Sequence, residues 1–139
     1  TQIKPAIANA KKAGMFVHTF WILGYPGETY EEINKTIEFA LSSGADSFTF
    51  SILSPLPGTP IYRKILTENL WWDSDTSIDD MIFRSSLIKV DGFNSSHEFE
   101  KFVSEANLKA NSILKEKDPD RFYLKYGSEV KEASLGKQT

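Results

Sequence analysis

The sequence predicts an α/β fold in which parallel strands alternate with helices, followed by a mainly helical extension. Three observations carry that expectation. Apolar residues recur in the order helix, strand, helix, strand, helix over residues 2–68, the pattern of parallel strands joined by right-handed crossovers. The run from Met15 to Leu23 is apolar almost throughout, as suits a strand covered on both faces in a parallel sheet. Each strand is followed by a stretch dense in glycine and proline, and loops at the carboxyl ends of strands are where such folds hold ligands.

The elements follow in order. Ile3, Ala6, Ile7, Ala10 and Ala13 stand at helical spacing, so residues 2–13 read as a helix that Gly14 ends. Pro5 is compatible because it falls in the first turn, where its missing N–H is not needed. After the first strand, Gly24-Tyr25-Pro26-Gly27-Glu28 forms a turn. Thr29 with Glu32 is a capping box, and Ile33, Ile37, Ala40 and Leu41 make the buried stripe of a second helix stopped by Gly44. From Ser47 to Leu53 residues alternate: Phe48, Phe50 and Ile52 on one face, Thr49, Ser51 and Leu53 on the other. Pro55-Leu56-Pro57-Gly58-Thr59-Pro60 is a stiff loop before a short helix from Pro60 to Glu68.

Beyond residue 69 the style changes. Leu70 to Asp80 reads as irregular chain, and Leu87 to Val90 as a short extended segment. A long amphipathic helix is expected from Ser96 to Glu116, burying Phe99, Phe102, Val103, Ala106, Ala110, Ile113 and Leu114. Asp118-Pro119-Asp120 opens a last helix containing Phe122, Tyr123 and Tyr126, and the polar tail 128–139 is expected to be disordered. The domain division expected is residues 1–68 and 69–139.

Composition narrows the classes. Of 139 residues, 40% are hydrophobic and 25% charged, ordinary for a globular domain. A net charge of −3, spread along the chain, gives no basis for nucleic acid or anionic membrane as partner. No apolar run approaches the ~20 residues that span a bilayer, and a signal-peptide pattern is missing, so a cytoplasmic setting is expected. Asn34-Lys35-Thr36 and Asn94-Ser95-Ser96 match the glycosylation pattern by chance in that setting. Without cysteine the chain can form no disulfide, thiolate nucleophile or cysteine-held metal centre. His18 and His97 are far apart, which disfavours a histidine-based metal site.

The loops 24–28 and 54–59 are the most specialised stretches. Glycines at 24 and 27 let backbone approach a ligand closely, and the helix that follows can attract an anion; well-made turns explain the same residues. His18 reads as a satisfied interior histidine or a catalytic one. Glu28 reads as a first-turn carboxylate complementing the helix dipole, or a ligand contact. Trp71-Trp72 and Phe122-Tyr123 read as packing, the former alternatively as a cleft wall.

Ala13-Gly14-Met15, then Phe20 to Thr29, then Ser51 to Tyr62 together resemble the second half of a radical S-adenosylmethionine domain. The Pro-x-Pro-Gly-Thr-Pro-x-Tyr ending is similar to the branch that often carries a cobalamin-binding domain, including methyltransferases and anaerobic magnesium-protoporphyrin monomethyl ester cyclases. The resemblance covers roughly residues 1–66. It implies that Met15–Leu23 and Ser47–Leu53 are the last two strands of a (β/α)6 partial TIM-like barrel. It also implies that Ile22 and Gly24, with backbone at Leu53 and Ser54, contact the adenine of S-adenosylmethionine. Phe20 stands where the family has glycine, and Glu28 falls one place late. The family's cysteine triplet, which holds a four-iron, four-sulfur (4Fe–4S) cluster, has no counterpart here. The implied protein is a fragment, inactive alone, of an iron–sulfur oxidoreductase or methyltransferase, with cobalamin as a possible second cofactor. Its partners would be the missing N-terminal half, a small-molecule substrate, and a second copy through the exposed edge of residues 15–23. A stand-alone protein-interaction module and a piece of an aldolase-like barrel are the alternatives.

Overall fold

The structure, a computed structural model, describes residues 2–76 and 85–126. Helix α1 (Ile3–Lys12) ends at Gly14, whose φ of 78° only glycine adopts freely. Gly14 N donates to Lys11 O at 3.0 Å and Met15 N to Ala10 O at 3.1 Å, satisfying carbonyls that the helix end leaves open. Met15 is thus consumed by the helix stop, and strand β1 (His18–Leu23) starts later than the apolar run does.

Asp46 fixes the start of the sheet. Its Oδ2 accepts from Val17 N at 2.7 Å, while Val17 O accepts from Asp46 N at 2.9 Å. Its other oxygen pairs with Lys11, which ties α1 to the same point. Burial pushes the Asp46 carboxyl up, but the Lys11 hydrogen bond and the Val17 amide outweigh it, leaving its pKa below the ordinary aspartate value.

Helix α2 (Tyr30–Leu41) has the expected capping box: Glu32 N donates to Thr29 Oγ1 at 3.3 Å, and Thr29 N to Glu32 Oε2 at 2.9 Å. It carries the chain over to strand β2 (Ser47–Ile52), which runs parallel to β1 with His18 opposite Ser47 and Leu23 opposite Ile52. Helix α3 (Pro60–Glu68) starts with Pro60 at its first turn and stops at Asn69, in the left-handed region at φ 51°. Trp71 then forms an antiparallel bridge with Ile88, reinforced by Lys89 N donating to Leu70 O at 2.7 Å. The extended segment expected at 87–90 is therefore a single bridge rather than a strand.

Helix α4 (Ser96–Lys117) supplies most of the remaining core, and α5 (Pro119–Tyr126) follows it. Phe99, Val103, Ala106 and Ala110 cluster with Leu23, Phe48, Phe50, Ile52, Ile33 and Ile37, while Phe102 and Ile113 are only partly buried. Asn107 sits against the outer edge of β2. Its Oδ1 accepts from Phe50 N at 2.9 Å and its Nδ2 donates to Phe50 O at 2.8 Å. One side-chain amide thus takes the place of a neighbouring strand, and edge groups left open would invite other chains.

The chain is accordingly an α/β unit: a parallel two-stranded sheet flanked by helices. Among the described residues no strand pairs with the other edge of β1. The first strand is not covered on both faces as its continuous hydrophobicity suggested, since Phe20 and Ile22 are 75% and 63% exposed. No helix among the described residues is long and apolar enough to cross a membrane. The expected irregular stretch at 77–80 and the polar tail 128–139 lie outside the described residues.

Replacing Asn107 with Leu removes both partners of Phe50 and is expected to lower the unfolding free energy by about 2–3 kcal/mol. Urea denaturation checks this, with exposed Ser112→Ala as a control expected to stay within about 0.5 kcal/mol.

Candidate functional site

Both strands deliver their carboxyl ends to the same rim. Leu53 N donates to Leu23 O at 2.9 Å, which sets the loop after β2 beside the loop after β1. Ile22 lies on the exposed face, in register with Ser51. Gly24 is buried at the start of its loop, and Leu53 and Ser54 are partly buried at the end of β2. The Ser54 hydroxyl oxygen is enclosed and has no hydrogen-bond partner among the described residues.

The residues of the first loop have structural work that sequence reading missed. A Cβ on Gly24 would stand 2.8 Å from Cε1 of Phe99 and 3.4 Å from Cγ2 of Val90. Gly24 is therefore demanded by the packing of α4, besides its φ of 85°. Glu28 does not merely face the helix dipole: its Oε2 accepts from Gly24 N at 3.0 Å and from Tyr25 N at 2.8 Å, closing the turn. In the second loop Thr59 caps α3, accepting from Tyr62 N at 3.2 Å and donating to Leu56 O at 2.7 Å. Pro55 is fully buried.

On the open face a cluster forms that neither loop announced. His18 Nδ1 lies 2.6 Å from Ser47 Oγ, and Nε2 lies 3.1 Å from Thr49 Oγ1. Phe20 meets the imidazole edge-on with centroids 4.5 Å apart. The partners are far apart in sequence and meet only through the parallel register. The alternation of polar residues at 47, 49 and 51 with His18 on the neighbouring strand was the signal that could have found it. Of the aromatic pairs, Trp72 donates its indole N–H to Ser86 Oγ at 3.0 Å, and Trp71 stacks edge-on with Tyr62, so both serve packing.

No protein-family model matches the chain, and no solved structure matches it. Among curated proteins it is 36% identical over 81 residues to an uncharacterized methyltransferase of Pyrococcus horikoshii, covering 55% of this chain and 18% of that protein. It is 28% identical over 112 residues to the cytidylyl-2-hydroxyethylphosphonate methyltransferase of Streptomyces wedmorensis, covering 76% of this chain and 21% of that protein. It is 38% identical over 73 residues to the tRNA-2-methylthio-N(6)-dimethylallyladenosine synthase of Deinococcus radiodurans, covering 46% and 14%. The chain thus spans about a fifth or less of the length of these relatives.

The radical S-adenosylmethionine assignment does not hold for this chain. Its defining cluster needs cysteine thiolates, the sequence has none, and among the described residues no group of three or more His, Cys, Asp or Glu could hold a metal ion. The expectations built on it are corrected together. These are an iron–sulfur oxidoreductase or cobalamin-dependent, porphyrin cyclase-like parent, and S-adenosylmethionine, a 4Fe–4S cluster and cobalamin as cofactors. The glycine and proline turns that carried the resemblance are accounted for locally, by helix capping and by the close approach of Phe99. What stands is a distant likeness to methyltransferases.

Gly24→Ala is expected to lower the unfolding free energy by about 2–4 kcal/mol, combining left-handed strain with overlap onto Phe99. Gly27→Ala, with nothing within 4 Å of the new Cβ, should cost only the strain, about 1 kcal/mol. Thermal or chemical denaturation of the pair separates the two effects.

Proposed function

We propose that this chain is a segment of a methyltransferase-like protein and supplies one wall of its small-molecule site, at the rim formed by Ile22, Gly24, Leu53 and Ser54. The observation that carries this reading is the Ser54 hydroxyl, enclosed at the strand end without a partner among the described residues. Such a group costs about 1–3 kcal/mol when left unmade, and it lies where ligands enter α/β sheets. Gly24 contributes backbone only, since its Cα hydrogen side is occupied by Phe99. The likeness to two methyltransferases supports the class.

In this reading the two strands are one end of a larger parallel sheet of barrel type, which Asn107 closes on the β2 side and which further strands of the parent continue from β1. Studied alone, the chain then has a β1 edge without a neighbouring strand among the described residues, beside the exposed side chains of Phe20 and Ile22, and such an edge drives association. Sedimentation velocity is expected to show concentration-dependent self-association that Ile22→Lys suppresses. A strict monomer at all concentrations contradicts this part.

The rim is tested by titrating the nitrogen-15-labelled chain with a set of neutral small-molecule fragments. Amide signals of residues 22–24 and 53–54 should move together, and Ser54→Ala should weaken that binding while keeping or raising stability by about 1 kcal/mol. Shifts confined to α1 and the solvent side of α2 contradict the reading.

A further inference from the structure

Two glycines on opposite sides of one contact mark where the C-terminal part of the chain grips the first loop. Gly24, at the start of the loop, leaves the space that Phe99 and Val90 fill. Gly92 answers it from the other side: a Cβ there would stand 2.8 Å from Cβ of Tyr30 and 3.6 Å from Tyr30 N. Its φ is 90°, so the backbone turns onto the start of α2 in a conformation that side chains resist.

Hydrogen bonds follow the same path. Thr29 and Asp91 form a parallel bridge, and Tyr30 N donates to Asp91 O at 3.1 Å. Tyr30 N belongs to the first turn of α2, whose amides have no acceptor within the helix, so Asp91 supplies one from outside. The Tyr30 ring packs against Phe93 and Phe102, with centroids 5.6 Å and 5.4 Å away. Phe93 N in turn donates to Val90 O at 3.2 Å. Within the loop, Glu28 gathers Gly24 N and Tyr25 N. The loop 24–29 is thus pinned at its start by Val90 and Phe99, and at its end by Asp91 and Gly92.

The pinning segment is itself lightly held. It hangs between the bridge of Trp71 with Ile88 and the cap of α4 at Ser95. Of residues 89–94, Val90 is buried and Phe93 half-buried, and the other four are exposed. Segments with few buried side chains open at a lower free energy than the core. Release of this one strips Tyr30 N of its acceptor and Gly24 of a neighbour, so the loop is loosened at both ends together.

We propose that residues 89–94 are a strap that opens with loop 24–29 as one unit, so that the C-terminal part of the chain sets how far the rim loop moves. The unit is defined by contacts within the chain; its bearing on a bound molecule rests on the small-molecule reading of the rim.

Native-state hydrogen exchange of the 139-residue chain, read by nitrogen-15 NMR, tests this at both ends of the unit. The amides of Gly24, Tyr25, Tyr30 and Phe93 should exchange through a common opening. Gly92→Ala should speed all four by about tenfold or more, equivalent to about 1.4 kcal/mol. The amides of Phe50 and Val17, bonded to Asn107 and Asp46 outside the unit, should stay within about twofold. Glu28→Ala cuts the opposite end, and it should speed Tyr30 and Phe93 along with Gly24 and Tyr25, although the Phe93 amide bonds to Val90. Each variant speeding only the amides beside it overturns the inference. Gly92→Ala speeding Phe50 and Val17 as much as the four also overturns it, since the strap would then be part of the core. Fragments that leave residues 22–24 and 53–54 unmoved would sink the rim reading alone, with the coupled exchange unaffected.

Discussion

The seating of α4 across the sheet governs what the rest of the molecule can be. Phe99 occupies the space that a Cβ at residue 24 would need, and eight residues on, Asn107 takes both backbone groups of Phe50. One helix thereby seals the apolar face of the sheet and one of its edges. Leu23, Phe48, Phe50 and Ile52 are buried beneath it and α2, and each such side chain contributes about 1.5–3 kcal/mol of burial. The consequence falls on the opposite face. With α2 and α4 packed on the other face, Phe20 and Ile22 stay exposed, and His18 lies between the hydroxyls of Ser47 and Thr49.

That asymmetry links packing to the functional reading. A site needs a rigid wall, and β1 is held from beneath by the core and at its start by Val17 and Asp46. It also needs groups whose hydrogen bonding is incomplete or adaptable, which describes the Ser54 hydroxyl and the hydroxyl pair around His18. The methyltransferase likeness is compatible with such a wall. It reaches only about a fifth of the relatives' length.

Much of the fold was legible because it rests on local chemistry. The capping box at Thr29, Pro60 at the start of its helix, Gly14 and Gly44 at helix ends, and the stripe from Phe99 to Leu114 act within a turn or two of sequence. The alternation from Phe48 to Ile52 named the buried face correctly. What could not be read depends on register and on distant partners. Nothing near Gly24 states that Phe99 presses on it, and nothing near Phe50 states that Asn107 ends the sheet there. The apolar run from Met15 suggested a strand covered twice; the helix stop uses Met15, and one face remains bare. The paired loops likewise resembled an iron–sulfur enzyme family, yet the sequence has no cysteine to hold such a cluster, and the same turns are explained by capping and close packing. Among the candidate residues, Ile22, Gly24, Leu53 and Ser54 stand at one end of the sheet, and Gly24 also serves the core by leaving room for Phe99.

The central claim is that one sheet face is sealed and the other open, and hydroxyl-radical footprinting read by mass spectrometry tests it most directly. Phe20 should be oxidised many times faster than Phe48, Phe50 and Phe99 in the folded chain, with all four converging on denaturation. Phe20 protected as strongly as Phe48 and Phe50 in a monomeric sample would contradict the account.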